Sequence, residues 1–118
     1  MPAAIFNGSY VKILKEELKA KSGGLFDKVY VSAKSTAFTA AVGYTYLINS
    51  GTAIAVTLPS AITNAGIVFK DSTGTAATNN VTITRADSAV IDGATTLVIS
   101  SNYGSAKIIS DGTNWFIA

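Results

Sequence analysis

Two periodicities divide the chain. Between Ser9 and Lys21 the apolar residues Val11, Leu14 and Leu18 recur at helical spacing, and Tyr10 and Ile13 widen the stripe. Lys12, Lys15, Glu16 and Lys19 fall towards the other faces. The pattern predicts an amphipathic helix over about residues 9–21. Ser9 can cap its start, because its hydroxyl can accept from a free backbone N–H. Lys19 and Lys21 near its end suit the helix dipole. Gly23-Gly24 ends it, since one glycine can take the left-handed C-cap conformation. A helix this short is marginal alone in water, so it must pack on its own β-domain or on another protein.

After Phe26 the period changes to two. β-Branched and aromatic residues predict strands at 28–32, 44–49, 53–58, 66–70, 80–85, 89–91, 95–100, 105–110 and 113–117. Val81-Thr82-Ile83-Thr84 alternates cleanly, with one face for the core and one for water. Ile67-Val68-Phe69 is a continuous run and reads as covered on both sides. Turn chemistry separates the runs at Asn49-Ser50-Gly51, Thr73-Gly74, Asn79-Asn80, Asp92-Gly93, Asn102-Tyr103-Gly104 and Asp111-Gly112. Leu58-Pro59 closes a strand, because proline cannot donate to a ladder. Turns at this spacing predict a mainly β fold, an antiparallel sandwich or barrel-like domain over 27–118, preceded by the helical segment 1–26. A weak echo between Ile91-Asp92-Gly93 and Ser110-Asp111-Gly112 reads as two similar hairpins rather than as a solenoid repeat.

Composition narrows the chemistry. Apolar residues make up 48% of the 118 and charged ones only 14%, too apolar for a disordered chain. With no Cys and no His, disulfides, Cys/His metal sites and Ser-His or Cys-His nucleophiles are excluded. Seven scattered acids remain. Asp71-Ser72-Thr73-Gly74 has a passing likeness to an aspartic-protease loop, but its spacing is wrong and it reads as a turn. Asp92 and Asp111, a conceivable glycosidase pair, each precede glycine in a turn. No phosphate-binding motif occurs. Catalytic residues, metal ligands and cofactors are therefore all expected to be absent.

Charge is uneven. Residues 1–34 hold six lysines against three acids, whereas 35–118 hold three basic residues against four acids. Glu16 and Glu17 within the basic helix, and a single arginine, Arg85, argue for a solvated helix face over a nucleic-acid site. No stretch approaches the ~20 apolar residues that span a bilayer. The start, Met1-Pro2-Ala3-Ala4-Ile5-Phe6-Asn7, lacks the basic and apolar regions of a signal peptide. Among the aromatic residues, Tyr103 and Trp115 are the candidate ligand contacts. Trp115, in Trp115-Phe116-Ile117, is better suited to closing the core or a subunit interface.

Several stretches in order carry a resemblance: Thr57-Leu58-Pro59-Ser60-Ala61, Asn64-Ala65-Gly66-Ile67-Val68-Phe69-Lys70-Asp71, Asn79-Asn80-Val81-Thr82-Ile83-Thr84, Ile91-Asp92-Gly93, Tyr103-Gly104-Ser105, and Ser110-Asp111-Gly112-Thr113-Asn114-Trp115. From about Tyr46 to Ala118 the chain resembles a module of bacteriophage fibre and virion proteins. The resemblance implies a β-structured domain of tail fibres, head fibres or capsid decorations, commonly trimeric, and brings no catalytic residue. The expected protein is thus a virion component made in the host cytoplasm, either a capsid decoration or head-fibre protein or a tail-fibre-like module that recognises host surface glycan. Its expected partners are other copies of itself in a homotrimer, a capsid or other virion protein, and in the second case the glycan. The anchoring residues are Val11, Leu14, Leu18, Lys12, Lys15 and Lys19. Neither nucleic acid nor membrane insertion is expected.

Overall fold

The computed structural model describes residues 30–118. The expected helix, its anchoring residues, the Gly23-Gly24 pair and the boundary at residue 26 lie outside the described residues.

Among the described residues the fold is mainly β. The strands are β1 (Tyr30–Lys34), β2 (Phe38–Thr39), β3 (Tyr44–Ile48), β4 (Ile54–Thr57), β5 (Thr63–Asp71), β6 (Val81–Thr84), β7 (Thr96–Ile99), β8 (Ser105–Asp111) and β9 (Trp115–Ile117). They form two sheets, a five-stranded one in the order β1-β3-β5-β8-β9 and a four-stranded one in the order β2-β4-β6-β7. The antiparallel expectation is corrected here. β1, β3 and β5 run parallel, as do β2, β4 and β6. Only β7, β8 and β9 are antiparallel to their neighbours. From β1 to β6 the chain passes from one sheet to the other at every connection, so it winds as three successive two-strand coils. Parallel neighbours need a crossover between them, and here a strand of the opposite sheet supplies it where an α/β protein would use a helix.

Alternation explains the core. Inward positions Tyr46, Ile48, Ile67, Phe69 and Ile108 of the larger sheet meet Ile54, Val56, Val81, Ile83 and Ile99 of the smaller, all buried. Tyr46 stacks on Phe69 with ring centroids 5.7 Å apart and packs on Phe38 at 4.7 Å. Its hydroxyl accepts from the Ala41 N–H at 2.8 Å, which settles the one polar atom the ring carries inward. Ile67-Val68-Phe69 alternates like its neighbours: Ile67 and Phe69 are buried and Val68 is half-buried on the outer face. The stretch 89–91 forms only isolated bridges, from Ile91 to Ala94 and to Trp115. Along β7 and β9 the seam between the sheets stays open as a groove of about 350 Å3, lined by Leu97, Ile99, Lys107 and Ile117 among others.

The two outer faces differ in chemistry. On the four-stranded sheet, Thr39, Thr57, Thr84 and Thr96 lie in one row across all four strands, next to Ala55, Thr82 and Val98. On the five-stranded sheet, Val31, Thr45, Val68 and Lys107 form one row, and Gly66, Ile109 and Phe116 another. One face is mainly hydroxyl-bearing and the other mainly apolar.

Candidate functional site

The connections gather their polar chemistry at one corner, around Asp71. This residue ends β5 on the inward side, opposite Ile48 of β3, and is buried. One carboxylate oxygen, Oδ1, accepts from the backbone N–H groups of Thr73 and Gly74, both at 3.1 Å, and from the Thr73 hydroxyl at 3.2 Å. The other, Oδ2, accepts from the N–H of Ala76 at 2.9 Å and of Tyr103 at 3.0 Å. The first group is a local Asx turn, the ordinary use of Asp before Ser-Thr-Gly. The Tyr103 bond is long-range and ties the β5–β6 connection to the β7–β8 connection. Burial alone would raise the carboxyl, but the backbone donors, led by Ala76 and Tyr103, outweigh it and lower its pKa from 3.8 to about 2. Ser72 binds the Ile48 carbonyl through its N–H and its hydroxyl, and the Asn102 side chain accepts from the Ala77 N–H.

This corner presents Tyr103. Its backbone has φ +58°, a left-handed value uncommon for an aromatic residue. Its side chain is 58% exposed. A Cβ added to Gly74 would come within 2.5 Å of the Tyr103 ring, so only glycine lets the ring lie where it does. The Lys70 ammonium donates to the Tyr103 carbonyl and sits 6.0 Å from its ring centroid. Tyr103 is thus an exposed aromatic ring that lies over Gly74. Trp115, paired with it as a candidate ligand contact, is only 1% exposed and belongs to the core; the structure does not bring the two together in one site.

The remaining described acids also serve the backbone. Asp87 accepts from Ala89 N–H, Asp92 from Ile117 N–H, and Asp111 from Thr113 and Asn114 N–H. The Asn114 and Thr113 bonds hold the Asp111 carboxyl below its ordinary range. Asp92 and Gly93 both have positive φ and close a two-residue turn of the primed type, with Ile91 and Ala94 bonded reciprocally. Among the described residues no three His, Cys, Asp or Glu gather where they could hold a metal ion.

Sequence reasoning read Asp71 as a turn residue and missed that it joins two connections. The local signal, Asp followed by Ser-Thr-Gly, marks the turn; nothing local marks the bond to Tyr103.

What these features define is a small β-rich module with coil-wound sheets and carboxylate-tied corners. The chain belongs to the family of bacteriophage T4 gp9/10-like proteins, whose N-terminal profile matches residues 7–114. It is therefore a bacteriophage fibre or virion protein module, and the match reaches well into the N-terminal third, which the resemblance from Tyr46 onwards did not cover. No curated protein matches the chain. Among the described residues no helix is long and apolar enough to cross a membrane.

Proposed function

We propose that the protein is a non-enzymatic structural component of the phage virion, a capsid decoration or head-fibre protein that attaches through its N-terminal segment and displays the β-body as a homotrimer. Membership of the gp9/10-like family carries the phage structural part of this reading; the attachment and the trimer are inferred from the sequence. The use of the described aspartates to hold turns supports it, because among the described residues it leaves no paired carboxylates standing ready for acid–base work. Val11, Leu14 and Leu18 have the spacing of a helix laid in a partner's groove. Lys12, Lys15 and Lys19 add long-range attraction to an acidic virion surface. Leu14→Asp tests it. A buried unpaired carboxylate costs several kcal/mol, so capsid binding in co-sedimentation should fall by about a hundredfold or more, with the melting temperature unchanged. A lowered melting temperature with binding retained assigns the stripe to the protein's own fold.

A second reading, a tail-fibre-like module for host surface glycan, is favoured by one observation: the exposed Tyr103 ring that lies over Gly74. An exposed aromatic face can stack on a sugar. In this reading Tyr103→Ala weakens binding to host surface polysaccharide by about tenfold in calorimetric titration, as expected for roughly 1 kcal/mol of aromatic contact. Unchanged binding in the variant removes Tyr103 from the site.

A further inference from the structure

We infer that Tyr103, Lys70 and Lys107 form a binding site for an anionic sugar, a glycan unit bearing a carboxylate or a phosphate. The inference rests on the glycan reading of Tyr103 above and adds the chemical class of the ligand. Tyr103 occupies a left-handed backbone position, φ +58°, where Gly, Asn or Asp would sit at less cost. The turn does not need an aromatic ring there, and a side chain this exposed adds little to the core. Backbone strain of this kind gathers at binding sites. The buried Asp71 carboxylate accepts from the Tyr103 N–H, and the Asn102 side chain accepts from the Ala77 N–H. The ring therefore stands where two connections are tied together.

Charge selects the ligand. Lys70 points outward from β5, between the inward Phe69 and Asp71, and its ammonium lies 6.0 Å from the Tyr103 ring centroid. One of its donors goes to the Tyr103 carbonyl, which leaves others for a ligand. Lys70 pairs with Ser105 across β5 and β8. Lys107, on the same outward side of β8 as Ser105, is the diagonal neighbour of Lys70, at about 7–8 Å. Like charges this close repel, and no described side-chain carboxylate stands between them. Asp71 is turned inward and accepts backbone N–H groups with both oxygens. Asp111 lies further along β8, about 13 Å from Lys107, and holds the Thr113 and Asn114 N–H groups. Asp87 and Asp92 hold those of Ala89 and Ile117. Among the described residues the corner thus offers an aromatic face, two ammoniums and the exposed Ser105, with no acidic side chain to balance them. A neutral sugar would use the ring alone. A sugar with an anionic group stacks on the ring and screens the two lysines from each other.

The test applies the full chain to an array of bacterial surface polysaccharides, neutral and acidic. A bound member is then titrated calorimetrically beside its neutralised form, carboxyl-reduced or dephosphorylated according to the group it carries. The bound members should be acidic, and neutralisation should weaken binding by about tenfold or more. Lys107→Gln, on the exposed side of β8, should weaken binding of the acidic form by about fivefold with the melting temperature unchanged. Tyr103→Ala should weaken binding of both forms, and dextran sulfate, a polyanion of different shape, should compete poorly. If no member of the array binds, the glycan reading itself fails and the inference with it. If the bound members are neutral, or if neutralisation and Lys107→Gln change nothing, the glycan reading stands and the anionic sugar is wrong. If Lys107→Gln weakens binding while Tyr103→Ala does not, and dextran sulfate competes as well as the glycan, the attraction is general to polyanions, which also overturns the inference.

Discussion

Asp71→Ala should lower the stability of the β-body by about 3 kcal/mol or more, one of the two largest single-residue effects expected here. The substitution removes the acceptor from four backbone N–H groups at once. A buried donor left without a partner costs about 1–3 kcal/mol. The Ala76 N–H is fully enclosed, while Thr73 and Gly74 can recover water. For a body of this size the loss corresponds to a fall of roughly 15 °C in melting temperature. Asp71→Asn should recover only part of it. Whichever way its amide is turned, an NH2 group faces either the Ala76 and Tyr103 donors or those of Thr73 and Gly74.

The contribution also has a pH signature. The folded-state pKa is depressed, from 3.8 to about 2. The carboxylate's stabilisation is therefore whole above the unfolded value and is lost as the pH falls through that interval towards the folded value. Urea midpoints of wild type and Asp71→Asn should differ clearly near about pH 7 and converge by about pH 2. A gap of constant size across that range would mean that the carboxylate's charge contributes nothing at this corner.

Asp71 also illustrates what the sequence could and could not disclose. Asp-Ser-Thr-Gly announces a turn, and the turn is there. The partner that makes it a knot, Tyr103, lies 32 residues away and bonds through its backbone N–H, which no side-chain pattern reveals. The strands show the same division. Alternation located Val81–Thr84 and Tyr44–Ile48 to within a residue or two, because one-sided burial writes itself into the sequence. It missed Phe38–Thr39, whose two residues pair only with Val56 and Thr57. Direction was not legible, since alternation is identical in parallel and antiparallel strands. Turn signals mark where the chain bends, not which sheet receives it. Asp111-Gly112 does join neighbouring antiparallel strands, but Asn49-Ser50-Gly51 and Thr73-Gly74 send the chain across to the other sheet. The coils are also uneven. Val31 pairs with Thr45, yet Thr45 pairs with Val68 much further along, so no fixed period betrays the winding.

Trp115→Ala is the second large effect expected, about 3–5 kcal/mol, the usual range for emptying a buried tryptophan site. Trp115 sits where the long connection between β6 and β7 crosses to the edge of the larger sheet. Its N–H donates to the Val90 carbonyl at 2.8 Å, and its carbonyl accepts from the Asp92 N–H at 3.0 Å. On either side, Asn114 accepts from the Val90 N–H and Asp92 from the Ile117 N–H. The indole fills the space beneath this junction, so its loss leaves a cavity and loosens β9 and the Ile91 bridge together. Trp115→Phe keeps most of the apolar volume and should cost less, about 1–2 kcal/mol. As the only tryptophan, Trp115 reports on itself: in the wild type its emission should be blue-shifted and poorly quenched by iodide, and host polysaccharide should leave it unchanged. Chemical denaturation followed by circular dichroism gives the stability of both variants. If Trp115→Ala unfolds at the wild-type midpoint, the indole is not the pin of this junction. If polysaccharide quenches it in the wild type, the ring is reached by ligand and the ligand reading of Trp115 returns.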